Sequence, residues 1–407
     1  MIKKELTLCI LSVCLFSCKD NKGTIAPFSV PEQGNIIAEL NITENGDTVV
    51  SCDIEKVSYS FSLKISDLID SLEIIKLDAT NPDYYVKSRE VSLSDNYIGI
   101  KTENQYKLFD KKGKFVSYIG RKGQGPGEYS GFIYDSQIDE ENNRIYLIEM
   151  GNVSKILVYD LSGNYVEDIP LAYKLHKGRI KFNNKTLTII SLPWRGDETP
   201  LVWVQDFKGN LISETWKNEV AVHPEFSSEI YSNMLDRKND SEIFIGSVEP
   251  RCDTLYNYST INGLSPKFTV NYSDMKIPLH TYYELPHHYI IELYDKIEMG
   301  IDYTTSTNSR IIIDKKTLRG GYFDLILDPL GGILYNGYIA EAKNGYFVLN
   351  IDPGDLKDII NDSKSMLKKY LNEKDIQKLQ EVDASISYDD NNYICLLYTS
   401  PSPRDCS

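Results

Sequence analysis

Three segments of the chain align without gaps: Leu108 to Ile119, Val158 to Ile169 and Val204 to Thr215 all read apolar-x-Asp-x-x-Gly-x-apolar-apolar. Their aspartates stand at 110, 160 and 206, giving steps of 50 and 46 residues, close to the length of a four-stranded propeller blade. Asp and Gly supply the backbone geometry of a tight turn, and the alternating flanks supply the strands. The second period resolves into four strands, Ile133 to Ile138, Arg144 to Met150, Lys155 to Tyr159 and Tyr165 to Ile169, with turns at Asn142-Asn143 and Ser162-Gly163. Between the first two periods lies a glycine-rich link, Gly120-Arg121-Lys122-Gly123-Gln124-Gly125-Pro126-Gly127-Glu128-Tyr129.

The period continues in weaker form. Asp253-Thr254-Leu255-Tyr256 begins a third strand of a fourth blade, Arg310 to Thr317 one of a fifth, and Tyr346 to Leu349 suits the second strand of a sixth. Leu72 to Leu77 is a lone strand ahead of the first complete blade, while the last blade is one strand short. The expected fold is therefore all-β: a six-bladed β-propeller of four-stranded antiparallel blades spanning residues 60–394, its N-terminal strand closing the last blade and removing exposed edges. Apolar residues at helical spacing from Leu356 to Val382, after Pro353-Gly354-Asp355, predict a small helical insertion at about 355–384, packed on the propeller flank.

With 407 residues, 41% hydrophobic and 25% charged, the chain can build a large core and is too polar for an integral membrane bundle. A net charge of -15 without a basic stripe argues against nucleic acid as partner. The five histidines fall in no metal-binding spacing, and no metal or cofactor is implied. Cys52 and Cys252 are left open between two free thiols and one disulfide.

Lys3 and Lys4 precede an apolar run from Leu6 to Phe16, the order of a secretion signal. Leu15-Phe16-Ser17-Cys18 resembles the bacterial lipobox. The expected organisation is a signal peptide at 1–17, lipidation of Cys18, and a polar tether to residue 59 that holds a monomeric domain at the cell envelope. At the other end, Cys395 to Asp405 resembles the conceptual translation of a sequencing adapter, which predicts a non-native tail at 395–407.

Asp70 to Leu77, the Gly123-x-Gly125-Pro126-Gly127-Glu128-Tyr129 link and the Asp314-Lys315-Lys316-Thr317 turn together resemble the bacterial six-bladed β-propeller lipoproteins, related to NHL-like and TolB-like propellers. That resemblance implies architecture and envelope location more than chemistry. The glycine link lacks the Lys-Ser/Thr and following helix of a P-loop, and its strand context excludes a Rossmann fingerprint. No GxSxG elbow is present. In a meander, the links between blades and the second-to-third strand turns share one face; Arg121, Glu128, Tyr129, Asn152, Trp194 and Arg195 fall there as candidate ligand contacts. A glycan, a peptide or an envelope protein suits such groups. The rival reading is a lactonase, lyase or glycan-active enzyme with carboxylates facing the channel.

Overall fold

The computed structural model describes residues 34–398, apart from 70, 87–89, 103–104, 184, 233–239, 250, 274–275, 300–301, 329–331, 336–341, 344–345 and 367–372. Signal peptide, lipobox and most of the tail lie outside the described residues. The chain opens with β1 (Asn35–Ile36), β2 (Ala38–Ile42), β3 (Thr48–Asp53), β4 (Ser60–Lys64) and β5 (Ser71–Lys76). Four-strand meanders follow. The first is β6 (Val91–Leu93), β7 (Tyr97–Lys101), β8 (Tyr106–Asp110) and β9 (Phe115–Ile119). The second is β10 (Ile133–Asp139), β11 (Arg144–Glu149), β12 (Val153–Tyr159) and β13 (Tyr165–Leu175), matching the four strands expected of that repeat. The third is β14 (Gly178–Phe182), β15 (Thr186–Ser191), β16 (Val202–Asp206) and β17 (Leu211–Thr215).

The fourth blade comprises β18 (Glu229–Tyr231), β19 (Asp240–Gly246), β20 (Thr254–Ser259) and β21 (Gly263–Asn271). The fifth comprises β22 (Leu279–Glu284), β23 (His288–Met299), β24 (Asp302–Asp314) and β25 (Arg319–Leu327), with β26 (Ile333–Tyr335) added to β25. Last come β27 (Ala342–Lys343), β28 (Tyr346–Ile351), helices α1 (Pro353–Met366) and α2 (Glu373–Ser385), and β29 (Tyr393–Tyr398).

Repeat arithmetic anticipates six blades; the described residues form five blades of consecutive strands. The remaining sheet is a composite, in the order β27-β28-β29-β5, so the strand that precedes the first blade pairs antiparallel with the last strand of the chain. Distinct apolar clusters lie between sheets. Tyr106, Ile119, Tyr129 and Leu157 join blades one and two, whereas Ile75, Leu77 and Val348 of the composite sheet pack on Ile98 and Phe109 of blade one. Leu356, Ile360 and Leu379 of the helices pack with Leu325, Leu327 and Ile333 of the fifth blade.

The repeated Asp-x-x-Gly turns weld neighbouring sheets together. Asp110 Oδ1 accepts hydrogen bonds from the backbone N–H of Lys112 and Lys114 at 2.9 Å each. Asp160 and Asp206 do the same for Ser162 and Asn164, and for Lys208 and Asn210. Gly113, Gly163 and Gly209 take φ of 81°, 89° and 83°, the left-handed region that glycine enters without steric cost. Each presses against the outer strand of the preceding sheet, on the carbonyls of Lys76, Tyr118 and Pro170 respectively.

The expected tether to residue 59 is corrected. β3 adds parallel to β21 and β2 pairs with β3, while β1 and β4 add to β25, so residues 35–64 form a belt over the outer edges of blades four and five. Burial drives this: Ile37 and Cys52 are fully buried and Val50 nearly so, in the core between those blades. Cys52 and Cys252 are both free, the first buried and the second exposed.

Candidate functional site

Of the sequence-predicted residues, Trp194 and Arg195 sit side by side in the β15–β16 turn, whereas Arg121, Glu128 and Tyr129 belong to the link between blades one and two. Two clusters of side chains lie on the inter-blade links and second-to-third strand turns. In the first, His176 on the β13–β14 link stacks on Trp194 in the β15–β16 turn, with ring centroids 3.7 Å apart and planes at 7°. Phe226, on the β17–β18 link and 47% exposed, meets Trp194 edge-on at 5.0 Å. Backbone bonds hold the parts together: Val222 N–H donates to Pro193 at 3.0 Å, Arg195 N–H to Val222 at 2.8 Å, and Gly151 N–H to His176 at 2.8 Å. His176 Nε2 lies 2.9 Å from Asp197 Oδ2, and Arg195 reaches Glu249 at 2.8 Å. Among the described residues, the buried Trp194 Nε1 and His176 Nδ1 have no hydrogen-bond partner.

Beneath the stack, Lys177 is 1% exposed. Its ammonium donates to the carbonyls of Phe226 at 2.6 Å and Ser228 at 3.0 Å, and to Glu229 Oε1 at 2.5 Å. Glu229 Oε2 accepts from the Tyr134 hydroxyl at 2.6 Å, and burial pushes that hydroxyl well above its usual pKa. Arg179 lies over the Tyr134 ring at 4.8 Å and beside Asp135 at 3.5 Å. Such a network fixes the floor of the cluster, because each buried polar group finds a partner.

The second cluster lies between blades four and five. Arg251 Nε donates to Asp253 Oδ1 at 2.6 Å, and its terminal nitrogens to the carbonyls of Val220 at 3.0 Å and Ala221 at 3.3 Å. His280 Nε2 stands 3.6 Å from Asp253 Oδ2, and its Nδ1 lies 2.8 Å from the carbonyl of Pro278. Burial pushes Asp253 up to about 6, against the pull of Arg251, and pushes His280 down to about 4, against the Pro278 carbonyl. Because Arg251 grips the segment that also holds Trp194, the two clusters share one backbone support.

Four sequence candidates change meaning. Tyr129 is 1% exposed and belongs to the core between blades one and two; its hydroxyl accepts from the Tyr106 N–H at 3.2 Å. It is a packing residue, not a contact surface. Glu128 pairs with Arg121 at 2.5 Å and accepts from Gly125 N–H at 2.8 Å, so the two charges staple the glycine link, although Arg121 itself is 79% exposed at the side chain. These bonds hold the Glu128 carboxyl below its usual range, led by the Gly125 N–H. Asn152 is exposed in a turn at φ 45°, a conformation asparagine tolerates better than most residues. Trp194 and Arg195 remain in the candidate site. His176, Asp197, Phe226, Arg251, Asp253 and His280 had no spacing to mark them, since their juxtaposition comes from neighbouring blades.

Five meandering blades joined by inter-sheet cores, with loop clusters on one face, define a propeller-like all-β protein. The chain belongs to the family described as "Domain of unknown function (DUF4934)", which matches residues 48–398. No curated protein matches it. Among solved structures, a member of the duf4221 family from Bacteroides vulgatus is 8% identical, covering 82% of this chain and 97% of its own, with a TM-score of 0.42. Kuenenia stuttgartiensis hydrazine synthase is 10% identical with a TM-score of 0.37, covering 77% of this chain and 86% of that one. The structure of U3-55K is 9% identical with a TM-score of 0.41, covering 80% and 98%. Likeness at this level carries no argument about function.

Proposed function

We propose that this chain is an envelope-attached binding protein, lipidated at Cys18, that recognises a glycan, a peptide or another envelope protein on the face carrying Trp194. The observation that supports the reading is the His176–Trp194–Phe226 stack: its aromatic surface, with Phe226 47% exposed, and the half-exposed Arg195–Glu249 pair stand within one loop cluster. Aromatic faces with a few convergent polar groups suit sugar rings and peptide side chains alike. In this reading the composite sheet serves as a sixth blade that completes a ring, as in NHL-like propellers, and gives the loops a rigid base.

The test is a binding screen of the mature domain against glycan and peptide panels, repeated with Trp194→Ala and Phe226→Ala. Loss of a stacked aromatic contact is expected to weaken binding by about 1 kcal/mol or more, roughly fivefold. Tyr129→Phe, a change confined to the core, is expected to leave affinity unaltered. Affinity that survives both substitutions moves the site elsewhere, and turnover of any screened compound favours an enzyme.

A further inference from the structure

The N-terminal belt opens with an apolar ledge. β2 pairs with β3 along one edge, placing Leu40 opposite Val50 and Ile42 opposite Thr48. Directly opposed residues in an antiparallel pair share a face, and Val50 faces the core between blades four and five. Leu40 and Ile42 therefore prolong the core-facing side of the sheet beyond the residues that cover it, at 58% and 77% exposure. Ile36, where the belt begins, is 57% exposed. Glu39 and Asn41 alternate onto the other side.

We propose that this ledge docks on the surface of the lipid bilayer and sets how the domain sits on the membrane, an inference that rests on the anchor proposed at Cys18. Chain length argues for it. The carbonyl of Gly34 is held by Arg319 at 2.5 Å, at the very start of the belt. From Cys18 to Gly34 the chain can span no more than about 60 Å even fully extended. A lipid-anchored domain is thus held by the edge that bears Ile36, Leu40 and Ile42.

Size argues against a second copy as the occupant. Three partly exposed aliphatic side chains offer on the order of 300 Å² per copy, so a two-fold pairing buries roughly half of the 1,200 Å² at the low end of stable interfaces. A contact too weak to recruit a free protein still counts when a lipid tether makes it intramolecular.

The test uses the lipidated chain in phosphatidylcholine vesicles. An environment-sensitive dye is placed on Ile42→Cys, and for reference on Val116→Cys of the first blade's outer strand, in a Cys252→Ser, Cys406→Ser background. Quenching by aqueous iodide is expected to fall about threefold or more at position 42 on vesicles and to stay unchanged at 116. Equal quenching at both positions on protein that floats with vesicles overturns the docking and leaves the anchor standing. Protein that does not float overturns the anchor itself. Protection at position 42 without vesicles, growing with protein concentration, assigns the ledge to a second copy and overturns the membrane contact.

Discussion

The carbonyl oxygen of Tyr118 fills the space where any residue other than glycine at position 163 would carry its Cβ. Gly163 belongs to the third-to-fourth strand turn of blade two and Tyr118 to the outer strand of blade one, so the repeated glycine serves two purposes: it turns the chain and it seats the blade. Ser117 adds a bond across the same seam, its hydroxyl donating to the carbonyl of Leu161 at 2.7 Å.

Gly163→Ala is therefore expected to cost more than an ordinary left-handed glycine. Gly263 has a similar φ of 72° with nothing within 4 Å of its would-be Cβ, and serves as the control. Backbone strain alone costs about 1 kcal/mol at such sites, and displacing a packed carbonyl adds to it, for a total of about 2–4 kcal/mol at Gly163. Chemical denaturation of both variants measures the difference. Equal losses at the two glycines show that the seam with Tyr118 contributes nothing.

Lys177→Met tests the floor of the candidate site. The substitution keeps the volume and removes an ammonium that satisfies two carbonyls and the Glu229 carboxylate. Removing one partner of a buried pair costs about 3–5 kcal/mol; Glu229 is 38% exposed at its side chain, so water replaces part of the loss and about 2–3 kcal/mol is expected. Lys177→Met with Glu229→Gln is expected to recover part of that loss, read in the same denaturation experiment.

What the sequence disclosed follows from how local each signal is. Asp160 and Gly163 act within four residues, so their turn, and the strands beside it, stood out from the repeat alone. The belt did not, because β3 joins β21 through parallel pairing more than 200 residues away, leaving no turn to recognise. Tyr129 reads as a contact residue from its place at the end of an exposed link, because its burial depends on Tyr106 and Tyr159 of other strands. The stack of His176 on Trp194 joins two blades, and nothing in the spacing of those residues announces it.

A further prediction concerns β29. Tyr393–Tyr398 runs between β28 and β5, with Ile394, Cys395, Leu396 and Leu397 buried. A central strand accepts many apolar, β-forming runs, so adapter-encoded residues can occupy this place without having evolved for it. Independent sequencing of the gene is expected to replace Cys395 to Asp405 with a different continuation; recovery of the same residues defeats the expectation.

The pair Asp253 and His280 predicts two opposite pH responses. The Asp253 carboxyl is raised from an ordinary value near 3.8 to about 6, so its folded-state preference for the neutral acid stabilises fully below about 4 and is lost as pH rises through 6. His280 is lowered from 6.5 to about 4, so its preference for the neutral ring stabilises above 6.5 and is lost as pH falls through 4. Between pH 4 and 6.5 the two contributions oppose each other. Asp253→Asn removes the first and leaves the second, so relative to the unmodified protein this variant is expected to lose stability on acidification across that window. His280→Gln leaves the carboxyl alone and is expected to gain over the same range. Melting temperatures of the three proteins, taken at half-unit steps from pH 4 to 7, decide it: difference curves of opposite slope are the expected result, and flat or parallel curves show that the two groups do not titrate as a buried, opposed pair.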